Sequence, residues 1–170
     1  MLENKKEFKL VSKKNPKHLL PNALTIFGVC LGLSSIKFAL DANYTMSVIA
    51  IGIAAILDTL DGRVARLIKG TTKVGKELDS LTDVISFGVA PSFIMFFWTI
   101  NEIGKIGWML VLIYVVCCAL RLARFNLTTI SESENWKINF FEGVPSPASA
   151  GLILLPLILD ISGLYNLESK

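Results

Sequence analysis

The stretch DTLDGRVARLIKGTTKVGKELDSLTD, residues 58–83, places four aspartates between two long apolar segments. Asp58 and Asp61 are three residues apart and Asp79 and Asp83 are four apart, so each pair lies on one face of a helix. Two helices that meet at a short turn would bring all four carboxylates into one site. Because four negative charges in a half-buried site repel one another strongly, we expect a cation to neutralise them.

The side chains around these aspartates indicate which cation and which substrate to expect. Carboxylate oxygens without a neighbouring cysteine or histidine favour Mg²⁺ or Mn²⁺, and four carboxylates suit a pair of ions about 4 Å apart. Glycines at positions 62 and 75 would let a phosphate chain approach the backbone closely. Arg66, assisted by Arg63, has the geometry to hold phosphate oxygens. The residues therefore predict a metal site that binds a diphosphate substrate.

The composition of the chain indicates a membrane protein. Of its 170 residues, 52% are hydrophobic and only 18% are charged, whereas soluble domains carry about 25% charged residues. Five apolar stretches approach the length that a helix needs to cross a bilayer, and they lack the strict alternation of a barrel strand. We therefore predict an all-α polytopic membrane protein with five transmembrane helices, at 22–40, 44–60, 82–100, 106–125 and 148–165.

The distribution of basic residues predicts the orientation of these helices. Six lysines precede the first span, and further lysines and arginines follow the second and fourth spans, whereas the other connections carry at most one. By the positive-inside rule, the N-terminus and the aspartates face the cytoplasm. Residues 1–21 are expected to form an amphipathic segment at the membrane surface, and residues 1–170 a single membrane domain. No nucleic-acid partner is expected.

The spacing D-x2-D-G-x2-A-R-x8-G-x3-D-x3-D resembles the signature of the CDP-alcohol phosphotransferases. The resemblance implies an integral membrane enzyme, commonly a homodimer with six spans per subunit. Such an enzyme transfers a substituted phosphate from a CDP-linked donor to an alcohol and releases CMP. The roles that the resemblance implies are metal ligands at Asp58, Asp61 and Asp79, a general base that shares the metal site at Asp83, a cytidine pocket at Gly62, Ala65 and Gly75, and a diphosphate contact at Arg66.

Three further segments, DSLTDVISFGVAPS (79–92), LRLARFN (120–126) and FEGVPSPASAG (141–151), resemble the phosphatidylserine synthase branch of this family. That resemblance implies CDP-diacylglycerol and L-serine as substrates and membrane lipid around the chain. Because the chain is short, forms a single domain and shows no targeting segment, we expect it in a prokaryotic cytoplasmic membrane. Arg121 or Arg124 would bind the carboxylate of serine, and Asn126 or Ser86 would orient the amino acid. The alternative for the arginines is that they extend to lipid head groups.

Other functions stay open at this point. The same chemistry with a different acceptor would make phosphatidylglycerophosphate or phosphatidylinositol phosphate, although phosphorylated acceptors would favour a denser basic cluster. A divalent-cation transporter would also need acidic residues, but here all four aspartates lie at one membrane face. Five spans are fewer than the six or more that the family usually has, so the chain is either a short member or a shortened polypeptide.

Overall fold

The computed structural model describes residues 19–67, 73–128 and 144–163, and all the regular structure in these ranges is helical. The prediction of an all-α protein is therefore confirmed. The elements in chain order are α1 (Leu19–Leu40), α2 (Tyr44–Leu67), α3 (Lys73–Asp83), a π-helical segment (Val84–Val89), α4 (Ala90–Trp98), a 3₁₀ turn (Ile100–Ile103), α5 (Lys105–Thr128) and α6 (Ser146–Ile161).

Four stretches of these helices are long and apolar enough to cross a membrane: Asn22–Leu40, Tyr44–Val64, Gly75–Trp98 and Lys105–Arg124. The fifth, α6, has 16 residues, and its length of about 24 Å falls short of the roughly 30 Å of hydrocarbon. This pattern is that of a polytopic membrane protein. Most of the predicted surface segment, residues 1–18, lies outside the described residues.

The third span begins earlier than the sequence predicted. We expected it at residue 82, where the apolar run starts, but the helix already begins at Lys73 and the spanning stretch at Gly75. Because α3 is strongly amphipathic, its polar and apolar residues belong to one helix and lie on opposite faces of it. Asp79 and Asp83 consequently lie within a long helical run and not at its first turn.

This helical run, formed by α3, the π-helical segment and α4, is the centre of the molecule. It contacts α1, α5 and α6, and half of its spanning stretch is buried, whereas only 11% of the α5 stretch is. The core lies around α4 and α6, where Ala90, Ile94 and Leu157 are fully buried. Such burial of apolar side chains fixes the central helix against its neighbours.

A short turn reverses the chain between α1 and α2, at the end of the bundle opposite the aspartates. The backbone N–H of Met46 donates to Asn43 Oδ1 at 3.3 Å, which satisfies one of the free donors at the start of α2. Close to this turn, Ser47 Oγ donates to the carbonyl of Ser35 at 2.6 Å. Because the two helices are antiparallel, the last turns of α2 lie beside the first turns of α1.

The close approach of α1 to the π-helical segment depends on a glycine. A Cβ at Gly32 would lie 2.6 Å from Ser86 Oγ and 3.0 Å from Ser86 Cα, so no larger residue fits there without a shift. Ser86 is fully buried, and its hydroxyl donates to the carbonyl of Gly28 at 3.3 Å. Small residues thus let α1 pack directly on the helix that carries Asp83.

The π-helical segment has an identifiable local cause in Pro91. In an α-helix the carbonyl of Phe87 would accept from the N–H of residue 91, but proline has no N–H and its ring would press on that carbonyl. A wider turn relieves this conflict, and the N–H of Ala90 donates to Ile85, five residues back. The segment starts immediately after Asp83, and π-helical turns often occur at functional sites.

Candidate metal and active site

Three carboxylates converge where α2 ends and α3 begins. Asp58 and Asp61 project from α2 and Asp79 from α3, and one oxygen of each lies within 4.8 Å of the others. Asp61 is only 4% exposed, and the other two are half-buried. The structure therefore brings the two helix ends together around a cluster of negative charge, as the spacing of the aspartates predicted.

Asp83 lies beside this cluster but outside the group of three. It is the last residue of α3, one turn after Asp79, and it is close enough to interact electrostatically with the other three aspartates. Its Oδ1 atom is buried and makes no hydrogen bond with the described residues. Asp83 therefore offers a carboxylate oxygen next to the candidate metal ligands that no protein donor occupies.

This donor set fits a hard divalent cation. All three converging groups are carboxylates, which are the ligands that Mg²⁺ and Mn²⁺ prefer. Gathering them without a positive charge would cost several kcal/mol in a partly buried site. Asp58, Asp61 and Asp79 are thus the residues that could hold the metal.

Thr25 on α1 holds one of these candidate ligands in place. Its hydroxyl donates to Asp61 Oδ2 at 2.8 Å, and both side chains are buried. Partners of this kind fix the orientation of a metal ligand. Sequence reasoning did not single out Thr25, although a threonine at the edge of the apolar run LLPNALT, residues 19–25, was a usable signal.

The residues expected to bind the CDP group are only partly described. Gly62 is half-buried next to Asp61, and a Cβ there would meet none of the described atoms within 4 Å, so the described residues leave space for a ligand beside the carboxylates. Gly75 lies in the first turn of α3. Ala65 and Arg66 follow on α2, but their side chains lie outside the described residues.

The residues expected to bind the acceptor differ in their burial and in their hydrogen bonds. Arg121 on α5 is half-buried, its Nη1 donates to Ser146 Oγ at 3.4 Å, and its Nε is buried without a hydrogen bond to the described residues. Arg124 is exposed, and the side chain of Asn126 lies outside the description. Ser86 is buried between α1 and the π-helical segment, where its hydroxyl already donates to Gly28.

Arg121 and Asp83 lie at the same depth in the bundle. A Cβ at Gly88 would meet Cys118 Cβ at 3.4 Å, so the π-helical segment and α5 touch at this pair. The two helices are antiparallel. Arg121 is about one turn after Cys118 on α5, and Asp83 is about one turn before Gly88 on the central helix, so both lie in the same direction from the contact. Both side chains therefore belong to the end of the bundle that holds the aspartate cluster.

The sequence pattern of the CDP-alcohol phosphatidyltransferases matches residues 18–166, which include the aspartate cluster and the six α-helices described above. The chain belongs to this family. Members of the CDP-alcohol phosphatidyltransferase family generally depend on a divalent metal, in agreement with the cluster of carboxylates. No solved structure matches the chain.

Several curated members of the family are similar to the chain, and their name is CDP-diacylglycerol–serine O-phosphatidyltransferase. The protein from Helicobacter pylori strain 26695 is 44% identical over 86% of the chain and 60% of its own length. The protein from Mycobacterium leprae is 43% identical over 82% of the chain and 48% of its own length. The protein from Bacillus subtilis is 35% identical over 81% of the chain and 74% of its own length. The chain thus spans about half to three-quarters of these relatives.

Proposed function

We propose that the protein transfers the phosphatidyl group of CDP-diacylglycerol to the hydroxyl of L-serine, giving phosphatidylserine and CMP. The observation that carries this proposal is the convergence of Asp58, Asp61 and Asp79 with Asp83 directly beside them. The names of the similar proteins support the choice of donor and acceptor.

Asp58, Asp61 and Asp79 would hold Mg²⁺ or Mn²⁺. Each carboxylate offers two oxygens, so the cluster would have enough ligand atoms for two ions. When bound, such cations withdraw charge from the diphosphate and stabilise the CMP that leaves. Thr25 would keep the Asp61 carboxylate in one orientation, since its hydroxyl donates to Asp61 Oδ2.

Asp83 would act as the general base. Its unoccupied Oδ1 accepts the proton of the serine hydroxyl while the serine oxygen attacks the phosphorus of the phosphatidyl group. The bond between that phosphorus and the bridging oxygen of the diphosphate breaks, and CMP departs with the electron pair. Its position beside the three ligands also lets Asp83 share the metal site, as the family resemblance implies.

The CDP group would lie against the last turns of α2 and the first turn of α3. The open space at Gly62 supports this placement, because a nucleotide can approach the backbone there. Ala65 and Gly75 would line the same pocket. Arg66, one turn after Gly62, would hold the diphosphate oxygens.

Arg121 would bind the carboxylate of serine. Its buried Nε without a protein partner supports this role, as does its position at the depth of Asp83. Arg124 and Asn126, three and five residues further along α5, are additional candidates. The hydroxyl of Ser86, which already donates to Gly28, could only accept a hydrogen bond from the ammonium group.

The membrane setting is also part of the proposal. The relatives named above from Helicobacter, Mycobacterium and Bacillus support a prokaryotic cytoplasmic membrane. The excess of basic residues at the aspartate end supports an active site that faces the cytoplasm. The family resemblance supports a homodimer, and the family match over residues 18–166 supports a single membrane domain.

The test is CMP release by the purified protein in detergent micelles that contain CDP-diacylglycerol and Mn²⁺ or Mg²⁺. Serine, glycerol 3-phosphate and inositol phosphate are supplied separately, and we expect CMP with serine only. Release with glycerol 3-phosphate but not with serine would overturn the acceptor, and no release with any acceptor would overturn the enzymatic function.

A further inference from the structure

A series of polar contacts connects the helix that carries Asp83 with the two helices that carry Arg121 and its partner Ser146. Its central residue is Tyr114, which lies on the same face of α5 as Arg121, seven residues earlier. None of the functional roles described so far uses Tyr114. Its contacts nevertheless reach both sides of the candidate active site.

The first contact repairs the defect that Pro91 leaves in the central helix. The carbonyl of Phe87 has no α-helical donor, because residue 91 is a proline. The hydroxyl of Tyr114 donates to this carbonyl at 3.3 Å. Because Phe87 is only 1% exposed, water cannot easily replace that donor. Tyr114 therefore fixes the π-helical segment four residues after Asp83.

The second contact leads to α6 and back to Arg121. The hydroxyl oxygen of Tyr114 lies 3.5 Å from Ser149 Oγ, and Ser149 Oγ donates to the carbonyl of Ser146 at 2.8 Å. The side chain of Ser146 in turn accepts from Arg121 Nη1. The Tyr114 hydroxyl thus lies between the carbonyl of Phe87, on the turn that follows Asp83, and Ser149 on α6. Ser149 in turn bonds to Ser146, whose side chain contacts Arg121.

We propose that Tyr114 is a positioning residue that sets the separation between Asp83 and Arg121 and thereby adapts the site to an acceptor of the size of serine. This inference rests on the proposed function, in which Asp83 takes the hydroxyl proton and Arg121 binds the carboxylate of the same small molecule. The three-carbon frame of serine keeps those two groups within a short and narrow range of distances, which the rotation about its Cα–Cβ bond sets. The protein must hold the two recognising side chains at a matching distance.

The chain offers a closely matched control for this proposal. Tyr44 also donates its hydroxyl to a backbone carbonyl of the central helical run, that of Phe97, at 3.0 Å. Phe97 lies near the end of α4 that is remote from the aspartates. Tyr44→Phe therefore removes the same kind of hydrogen bond from the same helical run without touching the acceptor side of the site.

The experiment compares Tyr114→Phe, Tyr44→Phe and the unchanged protein in the CMP-release assay. For Tyr114→Phe we expect the KM for serine to rise about two- to tenfold, the range expected for the loss of one buried hydrogen bond. The KM for CDP-diacylglycerol and the affinity for Mn²⁺ should stay unchanged. Homoserine, which is one methylene longer, should gain in kcat/KM relative to serine. Tyr44→Phe should lower thermal stability to a similar degree but leave both acceptor measurements unchanged.

Several results would overturn the positioning role. An unchanged KM for serine and an unchanged homoserine-to-serine ratio in Tyr114→Phe would do so, and so would equal changes in Tyr44→Phe. If Tyr114→Phe does not fold, Ser149→Ala tests the same link from α6 and should raise the KM for serine; an unchanged KM would contradict the proposal. Failure of the proposed function is a separate result, because then the unchanged protein releases no CMP with serine.

Discussion

Asp83 differs from the other three aspartates in what surrounds its carboxylate. One oxygen each of Asp58, Asp61 and Asp79 lies within 4.8 Å of the others, and Thr25 donates a hydrogen bond to Asp61. Asp83 has a buried oxygen that none of the described residues contacts through a hydrogen bond. The four residues thus divide into three that can share a cation and one that is available to take a proton.

Replacing Asp83 with asparagine should remove turnover but keep donor binding. The amide is nearly the same size as the carboxylate but cannot accept a proton at working pH, so we expect CMP release to fall about 10²- to 10⁴-fold. Because the three candidate metal ligands are unchanged, binding of CDP-diacylglycerol should persist. Turnover follows from CMP release, and binding follows from the rise in the unfolding temperature on addition of CDP-diacylglycerol.

Glu77→Gln is the control for this substitution. Glu77 is an exposed carboxylate on the same helix, six residues before Asp83, and it belongs neither to the cluster nor to its neighbours. Its change to an amide should leave CMP release as it is. Normal turnover by Asp83→Asn would show that another group takes the proton.

Removing the hydroxyl of Thr25 should weaken metal binding. Thr25→Val keeps the shape of the side chain but leaves Asp61 without the donor that orients it, and the loss of such a partner typically costs about 10- to 100-fold in metal affinity. The measurement is the concentration of free Mn²⁺ by electron paramagnetic resonance during a titration of the protein, which does not depend on activity.

Two variants serve as controls for Thr25→Val. Thr25→Ser retains the hydroxyl and should bind Mn²⁺ nearly as well as the unchanged protein. Thr59→Val removes an exposed hydroxyl that only bonds to the carbonyl of Ala55 in its own helix, so it should have no effect. Equal Mn²⁺ affinity in Thr25→Val and the unchanged protein would mean that Asp61 does not need this donor.

The spacing of the aspartates was enough to predict where the site lies, because 3.6 residues per turn decide which side chains share a helix face. The residues that contact the site from other helices could not be predicted in this way. Thr25 is 36 residues from Asp61 and Tyr114 is 27 residues from Phe87, so each contact depends on how helices pack and not on local periodicity. The structure supplied both residues.

The contact between α1 and the π-helical segment has little tolerance for added volume. A Cβ at Gly32 would come within 3.0 Å of the backbone of Ser86 as well as its side chain, and backbone cannot rotate away. Gly32→Ala should therefore destabilise the protein by about 1–3 kcal/mol through overpacking. Because the shift would reach Asp83 through the same helix, CMP release should fall as well.

Gly52→Ala is the matched control for Gly32→Ala. Gly52 lies in the interior of α2, and a Cβ there would meet nothing within 4 Å, so alanine should be neutral or stabilise the helix by up to about 1 kcal/mol. Thermal unfolding in detergent measures both variants. Equal unfolding temperatures for Gly32→Ala and Gly52→Ala would contradict the tight contact.

Hydropathy predicted the number of apolar stretches but not the boundaries of the central helix. The predicted third span began at residue 82, because residues 73–81 are polar, yet these residues form most of α3. A polar face is stable there because the aspartates point into the site and not into lipid. Pro91 was visible in the sequence, but a proline can either kink a helix or widen one of its turns. In the structure it follows a π-helical turn, and the carbonyl of Phe87 accepts from Tyr114.

At the scale of the whole molecule, the uneven distribution of charge predicts that the aspartate end of the bundle faces the cytoplasm. Among the described residues, the aspartate end carries several lysines and arginines, whereas the opposite end carries few, one of which pairs with Asp41 in the turn after α1. Basic residues near the ends of spans favour the cytoplasmic side. The residues concerned are Arg63, Lys76, Arg121 and Arg124 at the aspartate end, and Lys37 and Lys105 at the other.

Cysteine labelling of whole cells tests this orientation. Ala42→Cys, in the exposed turn between α1 and α2, should react with a membrane-impermeant maleimide on intact cells, whereas Val144→Cys, exposed just before α6, should react only after the cells are made permeable. The native cysteines lie within spanning stretches, so the unchanged protein should give little labelling. The reverse pattern would place the aspartates outside the cell, where CMP and CDP-diacylglycerol metabolism could not supply the site, and would contradict the proposed function together with the orientation.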